Sequence, residues 1–318
     1  MTSPTCTRRA LLAGGASLLT GCALTDPVIR PSGAIPRGPR PQYDAHQATA
    51  SATERKLAAW WLAIEAAAPG WPEAATVAPV AASKAAAHAA HVARLQGADV
   101  LLLDDRPRHP SPTEPPVTVS SWADAQARVK KIQSHAVTSY HTAALALAGS
   151  QPALALFYAS LAACASASPT LALSGGDAAP RPFIAGTPAA AREVLLTRVW
   201  ALVYALETGI GRFPRGAEPR EAGLARLAEA KLLRDELLAH PGLASPPQQR
   251  SDYDLGGPLN TDQEVLAGWA RAELAVLGAW GRLAAVSRDD PRPLDAMLAQ
   301  VPQVERWGQG LPTWPGWA

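Results

Sequence analysis

Apolar residues recur at three- and four-residue steps over long stretches of this chain. Leu195, Val199, Leu202, Val203, Leu206 and Ile210 form one such stripe. Val265, Leu266, Trp269, Val276, Leu277, Trp280 and Leu283 form another. That period belongs to the amphipathic α-helix. Val, Ile and Thr nowhere alternate with polar residues over a useful length, so no sheet is expected.

Helix start and stop signals divide the pattern into eight helices. The first runs from Ala45 to Ala68 and stops at Pro69-Gly70. The second opens near Pro79 and ends at Gly97. A Pro-rich loop, 98–119, leads to a third that opens with Ser121-x-x-Asp124 and ends at Gly149. The fourth takes Ser150 as N-cap with Pro152 in its first turn. Thr187 and Pro188 open the fifth, which stops at Gly209-Ile210-Gly211. The sixth runs from Pro219 to His240-Pro241-Gly242. The seventh opens with a capping box, Thr261-x-x-Glu264, and the eighth with Asp290 and Pro291.

A shift of 140 residues lays this punctuation on itself. Trp60 meets Trp200, Pro79 meets Pro219, and Arg94 meets Arg234. Ser121 and Asp124 meet Thr261 and Glu264, Tyr140 meets Trp280, and Ser150 meets Asp290. The expectation is an all-α protein built as two tandem four-helix bundles, residues 43–170 and 187–318, joined by a Gly- and Pro-rich linker at 171–186.

The first 42 residues follow a different logic. Thr7-Arg8-Arg9-Ala10-Leu11-Leu12 resembles the twin-arginine export signature. The apolar run that follows, to Leu19, is too short to span a bilayer. Leu19-Thr20-Gly21-Cys22 matches a lipobox, in which the Cys thiol takes a diacylglycerol. Residues 1–21 therefore read as a signal peptide, and 22–42, with Pro27, Pro31, Pro36, Pro39 and Pro41, as an extended tether. The expected product is exported and lipid-anchored through Cys22 to the outer face of a bacterial cell membrane.

Composition narrows the function classes. The 318 residues are 48% hydrophobic and 18% charged, which fits a globular chain. Removing Arg8 and Arg9 with the signal leaves 27 basic and 27 acidic side chains, so no nucleic-acid footprint is expected. Cys6 falls in the signal and Cys22 in the lipobox, leaving Cys164 with no intramolecular disulfide partner.

The second half carries a family resemblance. Trp200-Ala-Leu-Val-Tyr204, Leu232-Leu-Arg-Asp-Glu-Leu-Leu238 and Tyr253-Asp-Leu-Gly-Gly-Pro-Leu259 resemble an actinobacterial ferritin-like domain family of unknown function, DUF4439. Trp307 followed by Leu311-Pro312 and Pro315-Gly316 also fits. The resemblance implies a ferritin-type four-helix bundle over 187–318 and no established activity.

Ferritin-like oxidases need Glu-x-x-His, which puts carboxylate and imidazole on one helix face. No Glu in this chain has a His three residues on. Glu273 interrupts an apolar stripe, and Arg234 or Arg198 would be its partner if it is buried. In the first bundle, His88-x-x-His91, His135 and Glu65 come from three helices and form a candidate mononuclear metal site. No nucleophile elbow, P-loop, dinucleotide-binding motif or C-x-x-C is present. No catalytic residue is assigned and no cofactor is expected. The leading expectation is a non-enzymatic lipoprotein that binds a partner protein or a small apolar ligand. The alternative is a metal-binding or oxidase-type protein using the four candidate ligands.

Overall fold

The computed structural model describes residues 29–30, 45–102, 114–174, 179–243 and 246–317. Arg8, Arg9, Cys22 and the tether apart from Ile29–Arg30 lie outside these described residues. Within them the chain is all-α, with eight α-helices: α1 (Ala45–Ala67), α2 (Ala74–Leu95), α3 (Trp122–Leu147), α4 (Pro152–Ser166), α5 (Pro188–Ile210), α6 (Glu218–Leu238), α7 (Asp262–Val286) and α8 (Arg292–Arg306). No helix among the described residues is long and apolar enough to cross a membrane.

Local capping chemistry sets several of the starts. Ser121 Oγ accepts the Asp124 N–H, and Thr187 Oγ1 accepts the Ala190 N–H. Thr261 and Glu264 close a reciprocal capping box at the start of α7. Two expected starts differ. α2 begins at Ala74, five residues before Pro79. Ala74 and Ala75 are strong helix formers, and Pro79 removes only one backbone donor close to the helix start. Ser150 does not cap α4; its hydroxyl donates to Leu147 O and closes the end of α3. The Gly209-Ile210-Gly211 stop holds, with α5 ending at Ile210 and Gly211 at its C-cap, and Gly209 also has a packing role. A Cβ there would lie 2.6 Å from Val265 Cγ1 and 2.7 Å from Trp269 Nε1, so the missing side chain makes room for Trp269.

α1 packs on α2 and α3, and α3 on α4; α5 packs on α6 and α7, and α7 on α8. α4 also lies against α7 and α8, so the buried side chains form one continuous cluster. The reason is in the sequence of α4. It is apolar on every side, and Ala155 to Ala165 are all buried. A helix of that kind has no face for water and goes to the centre.

The chain does not end at α8. Residues 307–317 form a strap that runs back over the first half, burying Trp307, Leu311, Trp314 and Trp317. Leu311–Pro312 pairs in parallel with Leu173–Ser174, inside the expected linker. The Thr313 N–H donates to Ser174 O at 2.9 Å. A second two-residue pairing joins Ile29–Arg30 to Ile184–Ala185.

Candidate metal centre

α1 turns one face inward through Leu57, Trp61 and Ile64. Glu54 stands one turn before Leu57 on that same face, 1% exposed. His88 and His91 are three residues apart on α2, a spacing that places them side by side, and both are fully buried. α1 and α2 join through a short turn at 68–73 and lie along each other, so the carboxylate meets the two imidazoles. His88 Nδ1 donates to Glu54 Oε2 at 2.6 Å and His91 Nδ1 donates to the same oxygen at 2.9 Å. One ligand atom from each of the three residues lies within 4.8 Å of the others. This buried trio has the composition of a site for a single metal ion.

Further partners hold the outer atoms. Tyr140 on α3 donates its hydroxyl to Glu54 Oε1 at 2.8 Å. His91 Nε2 donates to the strap carbonyl Thr313 O at 2.8 Å, and the Trp314 ring sits 4.6 Å from the His91 ring. His91 therefore faces an acceptor at each nitrogen, which favours its doubly protonated form. Burial works against that charge, but Glu54 and a contact with Cys164 outweigh it and push His91 up to about 10. Burial also opposes ionisation of Glu54; the two imidazoles overcome it and hold the carboxyl well below the usual carboxylate range. His88 goes the other way, lowered by burial against the pull of Glu54. It is a neutral ring with its proton on Nδ1, and its Nε2 is buried with no hydrogen-bond partner among the described residues.

The surroundings are charged and dry. Lys84, one turn before His88, is fully buried, donates to Ser168 O at 2.9 Å and lies 5.1 Å over the Trp61 ring. Burial lowers it to about 8. Cys164 on α4 is buried, with Sγ 3.5 Å from Thr313 O.

His88 and His91 converge as the sequence implied, whereas His135 and Glu65 do not join them. His135 is exposed on α3, five residues and about 140° of helix rotation from the inward Tyr140. Glu65 is half-buried and stands eleven residues from Glu54, three turns or about 16 Å along α1. Glu54 went unrecognised because Thr53, Arg55 and Lys56 make its neighbourhood look solvated. The available signal was its register, three, seven and ten residues before Leu57, Trp61 and Ile64. His141 lies at the surface and bonds Asp295 Oδ1 at 2.8 Å, linking α3 to α8.

The second half holds a different buried centre. Glu273 on α7 is fully buried and receives Arg226 of α6 through Nε at 2.8 Å and Nη2 at 3.0 Å. Gln300 on α8 also donates to it, and Trp307 Nε1 reaches it at 3.5 Å. The partner is thus Arg226 rather than Arg234 or Arg198. Arg234 pairs with its neighbour Asp235 at the surface. A guanidinium already neutralises the Glu273 carboxylate and occupies the space beside it.

Comparison with protein-family models, curated sequences and solved structures finds no match to this chain. The functional reading therefore stands on these side chains alone.

Proposed function

We propose that this protein is an exported, lipid-anchored metal-binding protein, with one transition-metal ion held in its first four helices by Glu54, His88 and His91. One observation carries the reading: three buried donors converge while their outer atoms are already held, Glu54 by Tyr140 and His91 by Thr313. Carboxylates and carbonyls behind metal ligands commonly orient them and select the His tautomer. Thr313 O would retain the Nε2 proton of His91 and leave Nδ1 as its ligand atom.

Two imidazoles and one carboxylate suit zinc, iron(II) or copper(II). When bound, the ion would supply a charged cross-link between α1 and α2. Glu54 brings the compensating charge, Tyr140 and Thr313 fix the two ligands behind it, and Trp314 excludes water. A centre this enclosed suits retention of a metal more than turnover of a substrate, in keeping with a non-enzymatic lipoprotein. The second half, with its Arg226–Glu273 pair, acts as the scaffold that carries the strap.

The test is elemental analysis of full-length protein extracted from membranes without chelator. The expected result is about one equivalent of metal, lost in Glu54→Gln and His91→Ala and retained in Glu65→Ala and His135→Ala. Negligible metal in the wild type, or equal metal in all five proteins, would overturn the proposal.

A further inference from the structure

The segment between Cys22 and α1 is fastened to the helical domain part-way along its length. Ile29–Arg30 pairs antiparallel with Ile184–Ala185, with Ile29 opposite Ala185 and Arg30 opposite Ile184. The local sequence suits a short strand there. Val28 and Ile29 are β-branched, and Pro27 and Pro31 bracket them. Pro31 has no backbone N–H to donate to a longer ladder. On the other side, Pro182 restricts the backbone ahead of Ile184 to extended conformations.

This pairing shortens the reach from Cys22. Ile29 is the seventh residue after Cys22, whereas Ala45, where α1 begins, is the twenty-third. A chain spans at most about 3.3–3.6 Å per residue. Cys22 therefore stands within about 25 Å of the docked pair, against about 80 Å for a segment free up to α1. A domain of this length is about 50 Å across. With the lipid of Cys22 in a bilayer, the end of the domain that carries Ile184–Ala185 stays near the headgroups. The opposite end cannot reach them, because that would lift the docked pair about 50 Å off the surface.

The fastened end is apolar where it meets water. Ile184 is 59% exposed. Phe183 beside it is half-buried and packs edge-on against Trp317, 5.7 Å between ring centres. An exposed aliphatic side chain gains free energy on moving into the boundary between headgroups and acyl chains. We propose that the surface around Ile184 and the docked pair rests on the bilayer that holds the lipid of Cys22. The domain then stands with this end towards the membrane, and the strap at Trp317 lies next to the headgroups. The proposal rests on the lipid anchor of the proposed function and is independent of the metal.

The test uses the full-length lipoprotein in vesicles of phosphatidylcholine and phosphatidylglycerol, part of whose headgroups carry a nitroxide quencher. A bimane fluorophore is placed at Ile184→Cys or, as a control, at the exposed Leu232→Cys on α6. The parent protein, whose Cys164 is buried, controls for background labelling. Ile184→Cys should be quenched at least twice as strongly as Leu232→Cys. A flexible Gly/Ser insertion of about 12 residues between Thr25 and Asp26 should halve that quenching. The same insertion between Ser32 and Gly33 should leave it unchanged, because it falls beyond the docked pair. Equal quenching at the two labelled sites, or equal effects of the two insertions, would overturn the proposal while leaving the anchor in place. Mass spectrometry that finds no diacylglycerol on Cys22 would overturn the anchor itself and this orientation with it.

Discussion

The carbonyl of Thr313 accepts the Nε2 proton of His91 at 2.8 Å across 222 residues of sequence. The last dozen residues of the chain thereby complete a centre whose other members all come from the first 140. Trp314 follows directly, lying 4.6 Å from His91 and 5.6 Å from Phe157, ring centre to ring centre.

Trp314→Ala removes the ring and leaves the backbone of Thr313. Truncating a buried Trp costs about 3–5 kcal/mol, measured by urea denaturation. The proposed function adds a second expectation: a chelator should strip metal from this variant several times faster than from the wild type. A variant that is destabilised but exchanges metal at the wild-type rate would show that the strap is core and not cover.

The Arg226–Glu273 pair gives a signed comparison. Arg226→Met leaves a buried carboxylate without its cation and is expected to cost about 3–5 kcal/mol, although Gln300 and Trp307 continue to donate to it. The double variant Arg226→Met/Glu273→Leu removes the charge altogether and should recover most of that loss. Denaturation midpoints of the three proteins decide it. A double variant no more stable than the single one would mean that the pair contributes net stability beyond charge compensation.

Lys84 makes stability depend on pH in a direction opposite to that of an ion-paired lysine. Its folded value is about 8, below the ordinary 10.5. Below pH 8 the amine is protonated in both states, and the folded state bears the cost of burying it. Between pH 8 and 10.5 the unfolded chain binds more protons, so stability rises with pH, by about 3 kcal/mol in all. His91, raised to about 10, loses its contribution over part of the same window in metal-free protein. That loss occurs equally in Lys84→Met and cancels in the difference. Metal-free Lys84→Met should therefore exceed the wild type in stability by most at pH 7, with the gap closing by pH 10.5. Urea curves that run parallel at the two pH values would contradict this.

By itself the sequence determined the helices and much of their punctuation. Period, Ala and Leu content, and the caps at Ser121, Thr187 and Thr261 are local, and local chemistry is sufficient to start a helix. The 140-residue spacing was visible for the same reason: Trp122 and Asp262, and Pro152 and Arg292, which open α3 and α7 and α4 and α8, are each separated by it. His88-x-x-His91 was legible as a pair because three residues on a helix make one face.

Tertiary structure decided the rest. Glu54 became a ligand candidate, and Glu65 did not, because Glu54 lies level with His88 and His91 where α1 packs on α2, whereas Glu65 stands three turns further along the same helix. Arg226 was chosen over Arg234 because it lies on the buried side of α6, where it reaches Glu273, while Arg234 lies at the surface. Arg198 instead lines a cavity between α5, α7 and the strap that no sequence motif marks. The strap across His91 was decided last of all. Only packing could seat Trp314 against His91 of α2 and Phe157 of α4, because the surface that receives it is built from two helices far apart in sequence.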